Sequence, residues 1–206
     1  MGKIIQGDSI SVFATSFLPS ISYFHSLLSS PAPIFDYKEK YIKQTERNRT
    51  HIMTANGLQA LTVPVIKTKG NLSLTCDVFL VDEEKWKKEI WRSISTAYAH
   101  SPYFDHYSNE LNALIFNKKK HTRLIDYNES FVKFISDALE LNTKPSISEQ
   151  YVESANEDYR KFEFPPIPVT YQSVFDVITP SLGSTISILD SLFSLGPMAR
   201  RLLIIG

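Results

Sequence analysis

The chain has 206 residues, of which 43% are hydrophobic and 12% aromatic. This composition supplies enough apolar surface for a folded core and excludes an intrinsically disordered chain. Lysine plus arginine and aspartate plus glutamate number 22 each, so there is no net positive field to attract a polyanion. We predict a single domain over residues 1–206 and no nucleic-acid partner.

The cysteine content and the hydropathy pattern indicate the compartment. Cys76 is the single cysteine, so the chain cannot form an internal disulfide or a cysteine-based zinc knuckle. No apolar stretch approaches the roughly 20 residues that span a bilayer, and the first residues lack the apolar region of a signal peptide. We predict a cytoplasmic protein with no membrane span, and nothing in the sequence indicates its oligomeric state.

The N-terminal part of the chain predicts a βαβ-like unit followed by a hairpin. Residues 9–14 are β-branched and apolar, helical spacing begins after Ser20, a typical N-cap, and a second strand is expected over residues 33–37. Asn56-Gly57 separates two strand-like runs and predicts a hairpin with a type I′ turn, in which both central residues have positive φ.

The remainder of the chain predicts mainly amphipathic helices. Pro64 cannot donate to a β-ladder, so we expect the second hairpin strand to lie at an edge or to bend there. Apolar residues recur at helical spacing over residues 83–98, 105–117, 128–141 and 185–195, the last closed by Gly196 as a left-handed C-cap. Further strands are expected over residues 72–81 and 146–152, and a rigid proline loop over residues 165–168. The predicted fold class is mixed α/β, with an N-terminal βαβ-like unit, a β-hairpin and several amphipathic helices in a single domain.

The densest cluster of polar recognition groups lies between residues 41 and 51. Lys43, Arg47 and Arg49 are close together in a segment that leads into the hairpin. Arginine presents forked donors that match a phosphate or a carboxylate. The alternative is a solvated charged loop balanced by Glu39 and Glu46, which is the usual behaviour of a charge run.

The loop over residues 16–23 places hydroxyl groups where a strand meets a helix N-terminus, a geometry that favours anions. It lacks glycine, so it is neither a Walker loop nor a dinucleotide-binding motif, and an ordinary connector is the alternative. We predict no cofactor.

Neither a metal site nor a catalytic motif is evident. His100 and His106 flank Asp105, but their spacing fits neither the helical pair of a zincin nor a zinc finger, so we predict no metal. The chain contains no nucleophile elbow, no Cys-His pair of known spacing and no motif with two catalytic carboxylates. The sequence therefore leaves open whether the protein is an enzyme.

Several short motifs follow one another along the chain: Phe17-Leu18-Pro19-Ser20, Lys43-Gln44-Thr45 with Arg47-Asn48-Arg49, Leu61-Thr62-Val63-Pro64, Trp91-Arg92-Ser93-Ile94, Ser101-Pro102-Tyr103-Phe104 and Ser187-Ile188-Leu189-Asp190. In this order they resemble the WbqC-like family of bacterial surface-polysaccharide proteins. The resemblance covers about residues 8–197.

The resemblance implies a role in O-antigen or related glycan biosynthesis, with transfer of glycine or a related aminoacyl group onto a sugar as the implied reaction. The partner would be an anionic intermediate, such as a nucleotide-linked or lipid-phosphate-linked sugar, held by Lys43, Arg47 and Arg49. The groups expected to orient neutral hydroxyls are Asn48, Tyr98, Tyr103 and Gln172. No catalytic residue is identified, and Glu39 and His51 are the nearest candidates because they flank the basic cluster.

The chain departs from the family pattern at two positions. Glu46 stands where the family usually has an aromatic residue, and Ile90 stands where many members have a histidine before the tryptophan. These changes imply altered or lost chemistry if that histidine is catalytic in other members.

The alternative function is a non-catalytic partner in a glycan-assembly complex. Its expected interaction face consists of aromatic residues: Trp86, Trp91, Tyr98, Tyr103 and Phe104. We also expect Arg47 and Arg49 to lie near the loop over residues 17–23.

Overall fold

The computed structural model describes residues 9–116, 121–143, 145–166 and 170–204. The helices are α1 Ile21–Ser29, α2 Glu84–Tyr98, α3 Phe104–Ile115, α4 Leu124–Ala138, α5 Pro180–Gly183, α6 Ile188–Leu195 and α7 Arg200–Leu203. The strands are β1 Ile10–Phe13, β2 Ala32–Phe35, β3 Arg49–Thr54, β4 Gly57–Thr62, β5 Val65–Lys67, β6 Val78–Leu80, β7 Ser146–Ile147, β8 Glu157–Asp158, β9 Tyr171–Gln172 and β10 Val177–Ile178. The predicted mixed α/β fold is confirmed.

A four-stranded parallel sheet in the order β7-β2-β1-β8 organises the N-terminal part of the chain. β1 and β2 pair along their whole length and α1 connects them, so the predicted βαβ-like unit is confirmed. The outer strands β7 and β8 come from the segment after α4 and are two residues long each. Because all four strands run in one direction, their carboxyl ends meet at one edge of the sheet.

Local hydrogen bonds fix the start of α1. The Oγ atom of Ser20 accepts from the N–H of Tyr23 at 3.3 Å, which confirms the predicted N-cap. The preceding Leu18 has φ of +46°, a strained conformation for a branched side chain. Its carbonyl holds this geometry by accepting from the hydroxyls of Thr50 and Ser187. The first loop is therefore fixed by two distant parts of the chain.

The hairpin forms where the sequence predicts it, but its turn differs from the expected type. β3 and β4 pair from Arg49 opposite Thr62 to Thr54 opposite Gly57, so the loop consists of Ala55 and Asn56. Gly57 has φ of +95°, whereas Asn56 is not among the described residues with positive φ. The hydroxyl of Thr54 donates to the Gly57 carbonyl and accepts from the Asn56 N–H, closing the turn one residue earlier than expected.

The strand predicted over residues 72–81 is wrong in its first part. Single turns of 3₁₀ helix occupy Gly70–Leu72 and Thr75–Asp77, and only β6 is extended. The N–H of Thr75 donates to the carbonyl of Glu39, and the N–H of Tyr41 donates to the carbonyl of Ser73. These bonds to the loop after β2 replace a strand ladder. The bend expected at Pro64 is confirmed, because β4 ends before it and β5 begins after it and pairs with β6.

Three further boundaries differ from the sequence predictions. α4 begins four residues before the expected position 128, because the buried side chains of Leu124 and Ile125 extend its apolar face. α6 begins after the expected position 185, because Ser187 caps it by accepting from the N–H of Leu189. The strand expected over 146–152 is reduced to β7. The predicted proline loop falls partly on residues 167–169, outside the described part of the chain.

The main hydrophobic core lies between the helices and the β3–β4 hairpin. α2, α3, α4 and α6 contribute most of its apolar side chains, and the first loop contributes Phe17, which stacks against Tyr127 and meets Phe131 edge to face. A second, smaller cluster around Phe13, Tyr23 and Phe35 packs near the parallel sheet. In the described part of the chain, no helix has the length and hydropathy of a membrane span.

Candidate anion-binding site

A cleft of about 430 Å³ opens at the carboxyl edge of the parallel sheet. Two segments that follow strand ends line it: Lys38 to Lys40 come after β2, and Arg160 and Lys161 come after β8. β1 lies between these two strands in the sheet. Ligands of open parallel sheets usually bind outside the carboxyl ends of the strands. The cleft therefore occupies the position that this sheet topology favours for a ligand.

The charges of this cleft, which we call the basic cleft, are unequal. The charged residues that line it are Lys38, Glu39, Lys40, Arg47, Asp158, Arg160 and Lys161. Five of them are cationic and two are acidic. A concave surface with an excess of one sign concentrates ligands of the opposite sign. The neutral chain therefore has a local basic site.

Arg47 forms the buried wall of the basic cleft. Its Nε donates to Oε1 of Glu39 at 2.8 Å and its Nη2 donates to Oε2 at 2.6 Å, which is a forked ion pair. Further donors reach the hydroxyl of Thr45 at 3.0 Å and the carbonyl of Arg160 at 2.8 Å. Burial raises the pKa of Glu39, and the hydrogen bonds and charge of Arg47 lower it. Arg47 thus joins the two sides of the cleft, at Glu39 and at the backbone of Arg160.

Arg160 forms a second charged frame beside the first. Its guanidinium bonds both carboxylate oxygens of Asp158 and donates to Oδ2 of Asp36 at 2.8 Å. It also lies 4.6 Å from the ring centroid of Tyr151. The hydrogen bonds from Arg160 lower the pKa of Asp158. Asp36 is fully buried and accepts another bond from the hydroxyl of Ser148, which follows β7. The frame therefore ties three strand ends together.

The lysines of the basic cleft differ from its arginines. Within the described residues, Lys38, Lys40 and Lys161 form no ion pair with an acidic side chain. The ammonium of Lys38 has only a weak contact of 3.9 Å with the sulfur of Cys76. The charge of Lys161 also helps to lower the pKa of Asp158. The arginines thus shape the cleft, and the three lysines give it a net positive charge that can attract an anion.

The residues proposed from the basic segment of the sequence are distributed over several places. Arg47 lines the basic cleft, and Glu39 lines it as the partner of Arg47. Lys43 is exposed in the loop before β3. Asn48 is buried and its amide donates to the carbonyl of Val63 at 2.9 Å. This bond connects the start of β3 to the chain directly after β4.

Arg49 and His51 lie on β3, two residues apart on the same face. Nε of Arg49 donates to the hydroxyl of Thr62 at 3.1 Å, in an exposed environment. Burial and the neighbouring charge of Arg49 lower the pKa of His51. The carbonyl of His51 accepts from the N–H of Ser187. Neither side chain is among those that line the basic cleft.

Tyr98, Tyr103 and Gln172 lie around α6 and do not line the basic cleft. The hydroxyl of Tyr98 donates to Oδ2 of the buried Asp190 at 3.0 Å. Gln172 is exposed and its amide bonds nearby carbonyls. The ring of Tyr103 packs against Gly196, where an added Cβ would lie 2.5 Å from the ring. The predicted C-cap at Gly196, with φ of +57°, therefore also has a packing reason.

The first loop and the basic segment are neighbours, as expected. The N–H of Phe17 donates to the carbonyl of Glu46 at 2.8 Å, and Thr50 donates to the carbonyl of Leu18 at 2.7 Å. The carboxylate of Glu46 lies 3.4 Å from the hydroxyl of Ser16 and 3.5 Å from the backbone nitrogen of Ser20, at the N-terminus of α1. Burial raises the pKa of Glu46 to about 7, against the lowering effect of these bonds. The carboxylate of Glu46 thus lies at the helix N-terminus where the sequence predicted an anionic ligand.

The sequence profile of the WbqC-like protein family matches residues 15–165, which include the sheet edge and the basic cleft. The chain belongs to this family. The uncharacterized protein Rv1507c of Mycobacterium tuberculosis (strain ATCC 25618 / H37Rv) is 28% identical over 142 residues, which are 69% of this chain and 61% of that protein. This chain thus matches less than two thirds of that relative's length. No solved structure is significantly similar to this chain.

The aromatic face that the sequence predicted for binding a protein partner is mostly buried in this WbqC-like chain. Trp86, Tyr98 and Phe104 are buried, and Trp91 is half-buried and stacks on Phe104. Tyr103 is the most exposed of the five, at 36%. These rings therefore belong mainly to the core.

Most of the residues that line the basic cleft were missed from the sequence. Lys38 and Lys40 precede the recognised basic segment, and Arg160 and Lys161 lie in a charged stretch without a clear pattern. The sequence signal that could have identified these residues is a charged side chain directly after a strand. For β8 this signal was hidden, because a strand of two residues has no detectable periodicity.

Proposed function

We propose that this WbqC-like chain binds an anionic sugar intermediate of bacterial surface-polysaccharide biosynthesis in the basic cleft and acts on it as a transferase. The ligand is a nucleotide-linked or lipid-phosphate-linked sugar, and the transferred group is glycyl or a related aminoacyl group. The single observation that carries the binding is the net positive charge of the cleft, which comes from three lysines that form no ion pair among the described residues: Lys38, Lys40 and Lys161.

The charge arrangement supports a phosphate group as the bound anion. Asp36, Glu39 and Asp158 form ion pairs with the two arginines and carry one negative charge more than the arginines compensate. The three ammonium groups outweigh this surplus and leave a net positive charge, and lysine binds phosphate as a point charge. The paired arginines keep the walls in place, so little reorganisation accompanies ligand binding.

The size and lining of the cleft support a sugar attached to that phosphate. A volume of about 430 Å³ lies within the range of roughly 300–1,000 Å³ typical of small-molecule sites. Tyr151 is 52% exposed and offers an aromatic ring beside Arg160. A sugar or nucleobase can pack on such a ring while its phosphate contacts the lysines.

The binding step is tested with a double variant, Lys38→Gln with Lys161→Gln. We would titrate a nucleotide sugar, a sugar 1-phosphate and inorganic phosphate and measure the free energy of unfolding. The wild type should gain about 2.7 kcal/mol at a ligand concentration a hundredfold above its dissociation constant, and the double variant much less. The matched control is Lys133→Gln, which removes one exposed lysine from α4. An equal gain in the double variant would reject the basic cleft.

A second candidate is a non-catalytic binding partner in a glycan-assembly complex. It is favoured by Ile90, which is buried where many family members have a histidine, and by Glu39, whose two oxygens both bond Arg47. The two candidates differ in turnover. Mass spectrometry of the bound sugar after incubation with activated glycine should show an added glycyl group for a transferase and an unchanged sugar for a binding partner.

A further inference from the structure

A second cleft of about 430 Å³ lies between the tip of the β3–β4 hairpin and α2. We call it the hairpin cleft. Its polar and aromatic lining includes Asn56, Gln59, Arg92, Ser93, Thr96 and Phe175. β3 has six residues and separates its tip from the basic segment by roughly 17 Å, at about 3.3 Å per residue. The two clefts share no lining residue, so the hairpin cleft is a separate site.

The walls of the hairpin cleft are formed by regular elements. Arg92 and Thr96 are four residues apart and share one face of α2, and His100 continues this row just after the helix. Nε2 of Gln59 donates to the hydroxyl of Ser93 at 3.1 Å and joins the hairpin to the helix. This bond and the row on α2 hold one side of the cleft in place.

Several polar side chains in this cleft are free to contact a ligand. Among the residues that the structure describes, no ion pair or hydrogen bond is made by the guanidinium of Arg92, the amide of Asn56 or the imidazole of His100. The described lining contains no aspartate or glutamate. A single guanidinium that forms no ion pair among the described residues is suited to one carboxylate, which it contacts with two parallel bonds.

The rest of the lining is suited to a hydroxylated ring. Amides and hydroxyls, as in Asn56, Ser93 and Thr96, both donate and accept hydrogen bonds, which matches the hydroxyl groups of a sugar. Phe175 is 39% exposed and presents its ring at the rim. The face of an aromatic ring is electron-rich and attracts the C–H face of a pyranose.

We propose that the hairpin cleft binds a saccharide unit that carries a carboxylate. The carboxylate contacts Arg92, the ring hydroxyls contact Asn56 and Thr96, and the C–H face packs on Phe175. Arg92 also lines an adjoining shallow cleft with Lys85, Lys88 and Glu89, further along α2. The site is therefore open at one end, so the bound unit belongs to an acidic oligosaccharide rather than to an isolated monosaccharide.

The test compares an acidic with a neutral ligand by isothermal titration calorimetry. The probes are a trisaccharide of galacturonic acid and a trisaccharide of galactose, titrated into the full chain. Arg92→Gln should weaken binding of the acidic probe about tenfold or more, because a charge-assisted contact is lost, and should leave the neutral probe unaffected. Phe175→Ala should weaken both probes by a similar factor.

Two controls make the result specific. Arg201→Gln removes an exposed arginine from α7 and should bind as the wild type does. The double variant of Lys38 and Lys161 should also bind the acidic trisaccharide normally. The proposal is overturned if the acidic trisaccharide shows no saturable binding, if Arg92→Gln binds it unchanged, or if the lysine double variant loses it. If citrate or a single-stranded oligonucleotide competes as well as the saccharide does, the cleft binds anions in general, and the proposal is also overturned.

Discussion

Glu39 and Asp190 are both buried carboxylates, but their hydrogen-bond donors differ. Glu39 accepts two bonds from the guanidinium of Arg47, at the basic cleft, and a longer one of 3.4 Å from the hydroxyl of Thr75. The carboxylate of Asp190, in α6, accepts from three hydroxyl groups in the described part of the chain: Tyr98 at 3.0 Å, Tyr171 at 2.7 Å and Ser173 at 2.9 Å. Burial raises the pKa of Asp190, and these three hydroxyl bonds lower it.

The difference indicates two uses of a buried acid. The guanidinium of Arg47 compensates the charge of Glu39, and Arg47 itself lines the basic cleft. The hydroxyls around Asp190 connect α2, the β9–β10 turn and α6 without adding charge. The first cluster therefore depends on opposite charges, and the second depends on the number of donors and acceptors.

The largest effect is expected for Arg47→Met, which leaves the Glu39 carboxylate buried without its cation. Removing one partner of a buried ion pair costs about 3–5 kcal/mol, and denaturant unfolding measures this loss. The control is the double variant Arg47→Met with Glu39→Leu, which replaces both charges with apolar groups and should recover most of the loss. A double variant as unstable as the single one would show that the carbonyl and Thr45 contacts of Arg47 matter more than its charge.

A smaller loss is expected for Asp190→Asn. The amide group replaces one acceptor oxygen with a donor, so at least one hydroxyl loses its acceptor: Tyr171 if the nitrogen replaces Oδ1, or Tyr98 and Ser173 if it replaces Oδ2. An unsatisfied buried group costs about 1–3 kcal/mol in the free energy of unfolding. An unchanged unfolding midpoint in urea would mean that the hydroxyls rotate to other acceptors and that this network is not a structural requirement.

Glu46→Gln should reveal a pH-dependent cost at the start of α1. Folding raises the pKa of Glu46 from its ordinary value of 4.5 to about 7. Between these values the folded chain binds more protons than the unfolded chain, so this carboxyl lowers the free energy of unfolding as pH rises from about 4.5 to about 7. Because the residue is partly exposed, we expect Glu46→Gln to be more stable than the wild type by about 1–2 kcal/mol at pH 8.

The measurement is urea unfolding of both proteins at pH 4 and pH 8. The advantage of Glu46→Gln should be absent at pH 4, where both states of the wild type carry a protonated carboxyl. A constant difference between the two proteins at both pH values would contradict the raised pKa of Glu46.

The smallest effect is expected for Arg49→Ala. Its guanidinium is partly exposed and its described side-chain bond is to Thr62, so the change in the free energy of unfolding should be below about 0.5 kcal/mol. The same variant also tests whether the anion binds at β3 or in the basic cleft. If Arg49→Ala abolishes the stabilisation by sugar phosphates and the Lys38 and Lys161 double variant keeps it, the anion binds at β3.

The sequence correctly predicted those local elements whose signals lie in residues close together in the chain. The N-cap at Ser20, the hairpin near Gly57 and the C-cap at Gly196 depend on residues within a few positions of one another. The apolar spacing of α2 likewise predicted its boundaries within one residue. The turn type and the segment before β6 were predicted incorrectly, because a side-chain bond from Thr54 and backbone bonds to Glu39 and Tyr41 decided them.

The sequence by itself determined the five longer helices, the βαβ-like unit, the hairpin and the family of this protein, because periodicity, capping and ordered motifs depend on neighbouring residues. Only the tertiary structure decided which charges meet. Arg160 reaches Asp36 across 124 positions of the chain, and Tyr98 reaches Asp190 across 92. Whether an arginine is a buried partner of an acid or a free group for a ligand depends on such long-range contacts. For this reason the basic segment was recognised from sequence, whereas the lysines of the basic cleft and the hairpin cleft were not.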